Sequence, residues 1–165
     1  MRTQRRTYLG IDNGVSGTLA ILSTVNGLLY HGPMPVRKEL SYTKEKKNIS
    51  RVMTIALHAL LESYVPKNHP CFAIIERPMV NPQRFTASLS AVRALEATLI
   101  VLEQLAIPHQ YIDSREWQKA MLPTGLKGDA LKPGAVDVAR RLFPTTATKD
   151  ADSILIAEYA RRKGF

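Results

Sequence analysis

The dipeptide Asn26-Gly27, set between two apolar runs, does most to limit what this chain can fold into. Asn-Gly favours the positive backbone angles of a two-residue hairpin turn, so the flanking segments must lie antiparallel and adjacent. The run before it, roughly Gly17 to Thr24, and the run that starts at Leu28 are therefore neighbouring strands. Another strand-like run precedes them, Thr7 to Asp12, with Tyr8, Leu9 and Ile11 leading into a turn at Asn13-Gly14. Three successive strands make an antiparallel meander, whose third member is ended or frayed by Pro33 and Pro35.

Farther along, strands alternate with helices. Cys71 to Ile75 is a short apolar run, read as a central strand, that stops at Glu76-Arg77-Pro78. A long helix is expected over Thr86 to Ala106, and a fifth strand over His109 to Ile112 leads to Ser114, the expected cap of a helix holding Trp117. A Gly/Lys-rich loop from Pro123 to Lys132 precedes a helix over Pro133 to Leu142, with proline favoured in its first turn. The last helix is expected from Lys149 to Arg162. Between the two halves, Val36 to Arg51 reads as a polar segment. Helical periodicity then begins at Asn48 or Ser50, placing Val52, Ile55, Ala56, Leu60 and Tyr64 on one face and closing at Pro66. The resulting order, βββ-α-β-α-β-α-α-α, predicts an α/β fold of one domain over residues 1–165: a mixed five-stranded sheet flanked by helices.

A chain of 165 residues can bury a proper core without disulfides or a structural metal. No stretch approaches the roughly 20 apolar residues of a membrane span, so no membrane partner is expected. The basic start, Met1 to Arg6, runs into strand-like sequence rather than a cleavable apolar core. Cys71 stands alone, which excludes an intrachain disulfide and fits an intracellular, reducing compartment. It reads as a small buried hydrophobe, His58 as structural or surface, and four scattered histidines make no Cys/His zinc site. The 23 Lys and Arg outnumber the 14 Asp and Glu, for a net charge of +9. That excess draws polyanions, nucleic acid above all, through steering and counterion release.

With few acidic residues, their positions matter. Asp12 closes the first strand and Glu76 the fourth. If those strands are parallel neighbours, both carboxylates sit side by side at one sheet edge, where they repel unless a cation lies between them. Oxygen-rich sites of this kind suit Mg²⁺ or Mn²⁺. Asp152 lies in the first turn of the last helix, where it can complete such a site. Taken singly, Asp12 is an ordinary turn former, and Asp150 and Asp152 complement a helix dipole. Glu76, after Cys-Phe-Ala-Ile-Ile, has no such explanation. Asp150 is assigned the dipole role, and for Asp152 position alone leaves both readings open.

Three segments carry a resemblance: Gly-Ile-Asp-Asn-Gly-Val-Ser-Gly at 10–17, Ile-Ile-Glu-Arg-Pro at 74–78 and Asp-Ala-Asp-Ser-Ile-Leu-Ile-Ala at 150–157. In order and interval they resemble the acidic motifs of RuvC-type Holliday-junction resolvases, in particular the phage and plastid branches of that RNase H-like family. The stretches Asp113 to Gln118 and Val136 to Pro144 resemble further family segments. One position departs: relatives often carry Asp or His three residues before the final acid, and here that residue is Lys149. On a helix that includes both, Lys149 shares a face with Asp152, so it is expected to take part in catalysis.

The resemblance implies an RNase H-like nuclease that cuts four-way or branched DNA, with Asp12, Glu76 and Asp152 as metal ligands. It implies two Mg²⁺ (or Mn²⁺) ions about 4 Å apart, activating a water and stabilising the leaving oxygen. Paired nicks imply a symmetric homodimer. The Thr86–Ala106 helix, with Leu89, Val92, Leu95, Leu99, Ile100, Val101, Leu102 and Leu105 on more than one face, is the expected contact. Arg37, Lys38, Lys44, Lys46, Lys47, Lys119, Lys127 and Lys132 are the expected phosphate contacts, and Phe85 is placed to stack on an unpaired base. The cytoplasm of a bacterium or a phage-infected cell is preferred to a plastid. The alternatives are a related nuclease acting on RNA, a phosphate-binding fragment of an actin-like ATPase (suggested by Asp12-x-Gly14-x-Ser16-Gly17), and a catalytically inert nucleic-acid-binding module.

Overall fold

The computed structural model describes residues 5–146 and 148–165. Along the chain, β1 (Thr7–Ile11), β2 (Thr18–Ser23) and β3 (Gly27–Pro33) are followed by β4 (Val36–Leu40) and β5 (Asn48–Val52). Next come α1 (Thr54–Tyr64), β6 (Cys71–Glu76), α2 (Phe85–Gln104), β7 (His109–Ile112), α3 (Ser114–Met121), α4 (Leu131–Leu142) and α5 (Asp152–Lys163). The main sheet has the order β3-β2-β1-β6-β7. The meander is antiparallel, whereas β1 pairs with β6 and β6 with β7 in parallel. The predicted neighbourhood of the first and fourth main-sheet strands is therefore present.

Successive residues of a strand face opposite sides of its sheet. Tyr8 and Ile74 point into the layer of α3, α4 and α5, while Leu9, Ile11, Ala73 and Ile75 point toward α1 and α2. The same alternation carries Asp12, one residue past β1, and Glu76, the last of β6, to the α5 side. Ile11 partners Ile75, so the two carboxylates leave adjacent strand ends together. Helix α5 is buried from Ser153 to Ala160 and lies directly over β1 at Gly10. A Cβ on Gly10 would stand 2.0 Å from the Ser153 carbonyl oxygen and 2.5 Å from the Ala157 nitrogen, so only glycine permits this approach.

Four expectations are corrected. The polar segment before α1 is not loop and helix cap but an antiparallel hairpin, with Val36 opposite Val52 and Leu40 opposite Asn48. Asn48-Ile49-Ser50-Arg51-Val52 pairs in extended form because Val52 can then be buried, and α1 starts only at Thr54, after Met53. The buried face of α1 is set by Leu57 and Leu61, leaving Ile55 85% exposed. The last helix starts at Asp152 rather than Lys149. Finally, the continuous helical stretch Pro82–Gln104 is, by length and composition, apolar enough to cross a membrane. In this fold, its Ala94, Val101 and Leu102 pack into the core on the α1 side of the sheet.

Candidate active site

Three carboxylates from two separate parts of the chain converge at the end of β1 and β6. Asp12 arrives from β1, Asp152 from the first position of α5, and Asp150 from the loop just before it. One oxygen of each lies within 4.8 Å of the others, close enough to share a metal ion. Glu76 stands beside this trio rather than within it, and its Oε2 accepts a 2.7 Å hydrogen bond from the Trp117 indole. The position of α5 is set by Gly10 and by Thr18, whose hydroxyl donates to Ser153 Oγ at 2.8 Å in the buried interior.

The electrostatics are those of crowded, partly dehydrated acids. The Asp12 carboxyl is pushed up to about 7, first by burial and then by the charges of Glu76, Asp152 and Asp150, with Lys132 opposing. Burial also raises Glu76, against the Trp117 hydrogen bond, and raises Asp152, with Asp150 adding to the effect. A divalent cation would relieve all of these at once, so the all-oxygen donor set fits Mg²⁺ or Mn²⁺.

The later start of α5 changes two assignments. Lys149 lies outside the helix and is exposed, so the shared helical face that linked it to Asp152 does not exist. Asp150 takes the inward position instead. Its Oδ1 accepts from the Asp152 amide at 3.2 Å, and its Oδ2 receives Lys132 Nζ at 2.7 Å. It therefore serves the helix end and faces the acidic cluster as well. Thr148 holds this turn in shape, donating to the Asp150 carbonyl at 2.6 Å.

The expected nucleic-acid contacts fall into groups. Lys132 is at the site itself, paired with Asp150. Arg37 is ion-paired with Glu39, and Lys47 with Glu45, on the hairpin that also carries the exposed Lys38, Lys44 and Lys46. Lys119, on α3, and Lys127, before α4, are exposed. Phe85 is 70% exposed at the start of α2, close in sequence to the exposed Met79 and Val80. Two residues near the acids were not read from the sequence. Trp117 was placed on a helix without a role. His31, on β3, has a buried Nε2 without a partner among the described residues, and burial lowers its pKa against the pull of Asp150.

Two solved structures share this architecture. One is Thermus thermophilus RuvC in complex with a Holliday-junction substrate: 15% identity, 96% of each chain covered, TM-score 0.62. The other is a structure of T. thermophilus RuvC, with 16% identity, 96% of each chain covered and a TM-score of 0.55. No family profile and no curated protein matches the chain. The fold is therefore the RuvC-like form of the RNase H-like fold, with the β4–β5 hairpin lying apart from the main sheet.

Proposed function

We propose that this chain is a divalent-metal-dependent endonuclease that cuts branched DNA, resolving four-way junctions. The observation that carries this reading is the convergence of Asp12, Asp150 and Asp152, with Glu76 adjacent, at the parallel strand ends of a RuvC-like fold. The solved relative bound to a Holliday junction supports the choice of substrate.

Asp12, Asp150 and Asp152 would hold the cation, with Glu76 as a further ligand. When bound, Mg²⁺ or Mn²⁺ supplies Lewis-acid polarisation of a phosphodiester and acidifies a bound water; two ions are proposed. The chain's own contribution is positional. Paired strand ends and the α5 terminus bring the carboxylates to one place before substrate arrives, so little reorganisation is needed at reaction. Lys132 offsets part of the acids' negative charge toward an incoming phosphate. Lys38, Lys44, Lys46 and Lys47 on the hairpin, with Arg37, Lys119 and Lys127, would hold phosphates farther out. Phe85 would stack on an exposed base.

Resolution requires two nicks related by symmetry, so we propose a homodimer joined through α2. Leu89, Val92 and Ile100 on that helix are each about 40% exposed and lie at helical spacing along one side. A reducing intracellular compartment is proposed from the lone Cys71, whose thiol burial pushes up to about 12.

The test is a substrate panel. With Mg²⁺, the purified protein is expected to nick a four-way junction in preference to linear duplex and RNA, and to stop in a chelator. Equal cutting of RNA would favour an RNA nuclease on the same fold; cutting that persists in chelator would end the metal reading.

A further inference from the structure

We propose that Trp117 is a positioning residue of the cation site: by pinning Oε2 of Glu76, it commits that carboxylate to bind through one oxygen and favours Mg²⁺ over Ca²⁺. The inference rests on the reading that Glu76 is a cation ligand.

An indole N–H can only donate, and when buried it needs an acceptor. Trp117 is 1% exposed, and it donates to a carboxylate at the end of β6, not to a backbone carbonyl. Such charge-assisted hydrogen bonds are stronger and more directional than neutral ones. No protein group among the described residues engages the other oxygen, Oε1, which is left to meet a cation. The neighbouring residue of α3 makes a second tie: Glu116 Oε1 accepts from the Tyr159 hydroxyl of α5 at 2.7 Å. Helix α3 thus braces the strand that bears Glu76 against the helix that bears Asp152. Mg²⁺ demands near-octahedral geometry with one atom per carboxylate, whereas Ca²⁺ accepts six to eight oxygens and bidentate carboxylates. A Glu76 with one oxygen held is matched to the first ion; a freely rotating Glu76 serves the second as well.

A tryptophan that merely fills the core would affect stability but not ion choice. Trp117 is the only tryptophan of the chain, so its emission is unmixed, and Mg²⁺ is diamagnetic and does not quench on its own account. Titration of wild type with Mg²⁺ should shift the emission along the calorimetric binding curve, and Glu76→Gln should remove the shift. Trp117→Phe keeps an aromatic ring without the donor. By calorimetry it should bind Mg²⁺ about tenfold more weakly, the order seen when outer partners of metal ligands are lost. It should also narrow the preference for Mg²⁺ over Ca²⁺. Should that variant not fold, the wild-type and Glu76→Gln emission titrations decide alone. Mg²⁺ binding that leaves the wild-type emission unchanged, or a folded Trp117→Phe with wild-type affinities for both ions, overturns the proposal and spares the nuclease reading. Failure of wild type to bind Mg²⁺ at all overturns both.

Discussion

At the scale of single residues, Asp12 carries the clearest physical consequence. An acid with a raised folded-state pKa holds its proton more tightly folded than unfolded. Its contribution to stability is complete below the ordinary value of 3.8 and is lost as pH rises toward about 7. The cation-free protein should therefore melt at a lower temperature at pH 8 than at pH 5. Asp12→Asn should flatten that slope, and Mg²⁺ should raise the melting temperature of wild type at pH 8. An unchanged slope in Asp12→Asn would show that Asp12 is not the group under strain. The second residue-scale prediction separates Asp150 from Lys149. Asp150 faces the other carboxylates, whereas Lys149 is exposed outside the helix. In single-turnover cleavage at saturating protein, Asp150→Asn should slow the reaction at least about tenfold, a loss near 1.4 kcal/mol, and Lys149→Ala less than about twofold. The reverse ranking would return the role to Lys149.

At the scale of elements, the decisive contact is α5 on β1, because it delivers Asp152 to Asp12. Gly10→Ala pushes a methyl into the backbone of Ser153 and Ala157, neither of which is a flexible side-chain end. It should cost about 1–3 kcal/mol or more of stability in urea unfolding and lower cleavage even where the protein remains folded. A variant of wild-type stability would mean that α5 does not depend on this approach. The same elements explain what was legible in the sequence. The main-sheet strands could be read because Asn26-Gly27 enforces a hairpin and the runs ending at Asp12 and Glu76 are continuously apolar. The β4–β5 hairpin could not, because its exposed strands, carrying Arg37, Lys38, Glu39 and Leu40, lack a sustained apolar face. Only Val52 at its base is buried, and that single residue fits a helix start equally well. The start of α5 was misplaced because Asp150 and Asp152 are both good first-turn residues. Which of them ends the loop depends on Thr148 and Lys132, the latter 18 residues away in sequence. The Trp117–Glu76 bond spans 41 residues, a distance that no local pattern reports.

At the scale of the whole molecule, the proposed resolution of a junction would need a second, symmetric site, because the site of one chain would make one nick. Leu89 and Val92 line the side of α2 left uncovered by its own sheet. Leu89→Glu with Val92→Glu should give a monomeric mass at micromolar concentration by light scattering, and should uncouple the two nicks; a dimer that survives both changes would place the interface elsewhere. If the converged carboxylates hydrolyse a phosphodiester through bound cations, cleavage must depend on Asp12, and single-turnover nicking of a four-way junction in Mg²⁺ at saturating protein compares wild type with Asp12→Asn. Wild type is expected to nick the junction, and Asp12→Asn to bind it as well or better yet cut at least about a hundredfold more slowly, near 2.7 kcal/mol of barrier. Cutting by folded Asp12→Asn at close to the wild-type rate would show that the carboxylates do not carry the reaction.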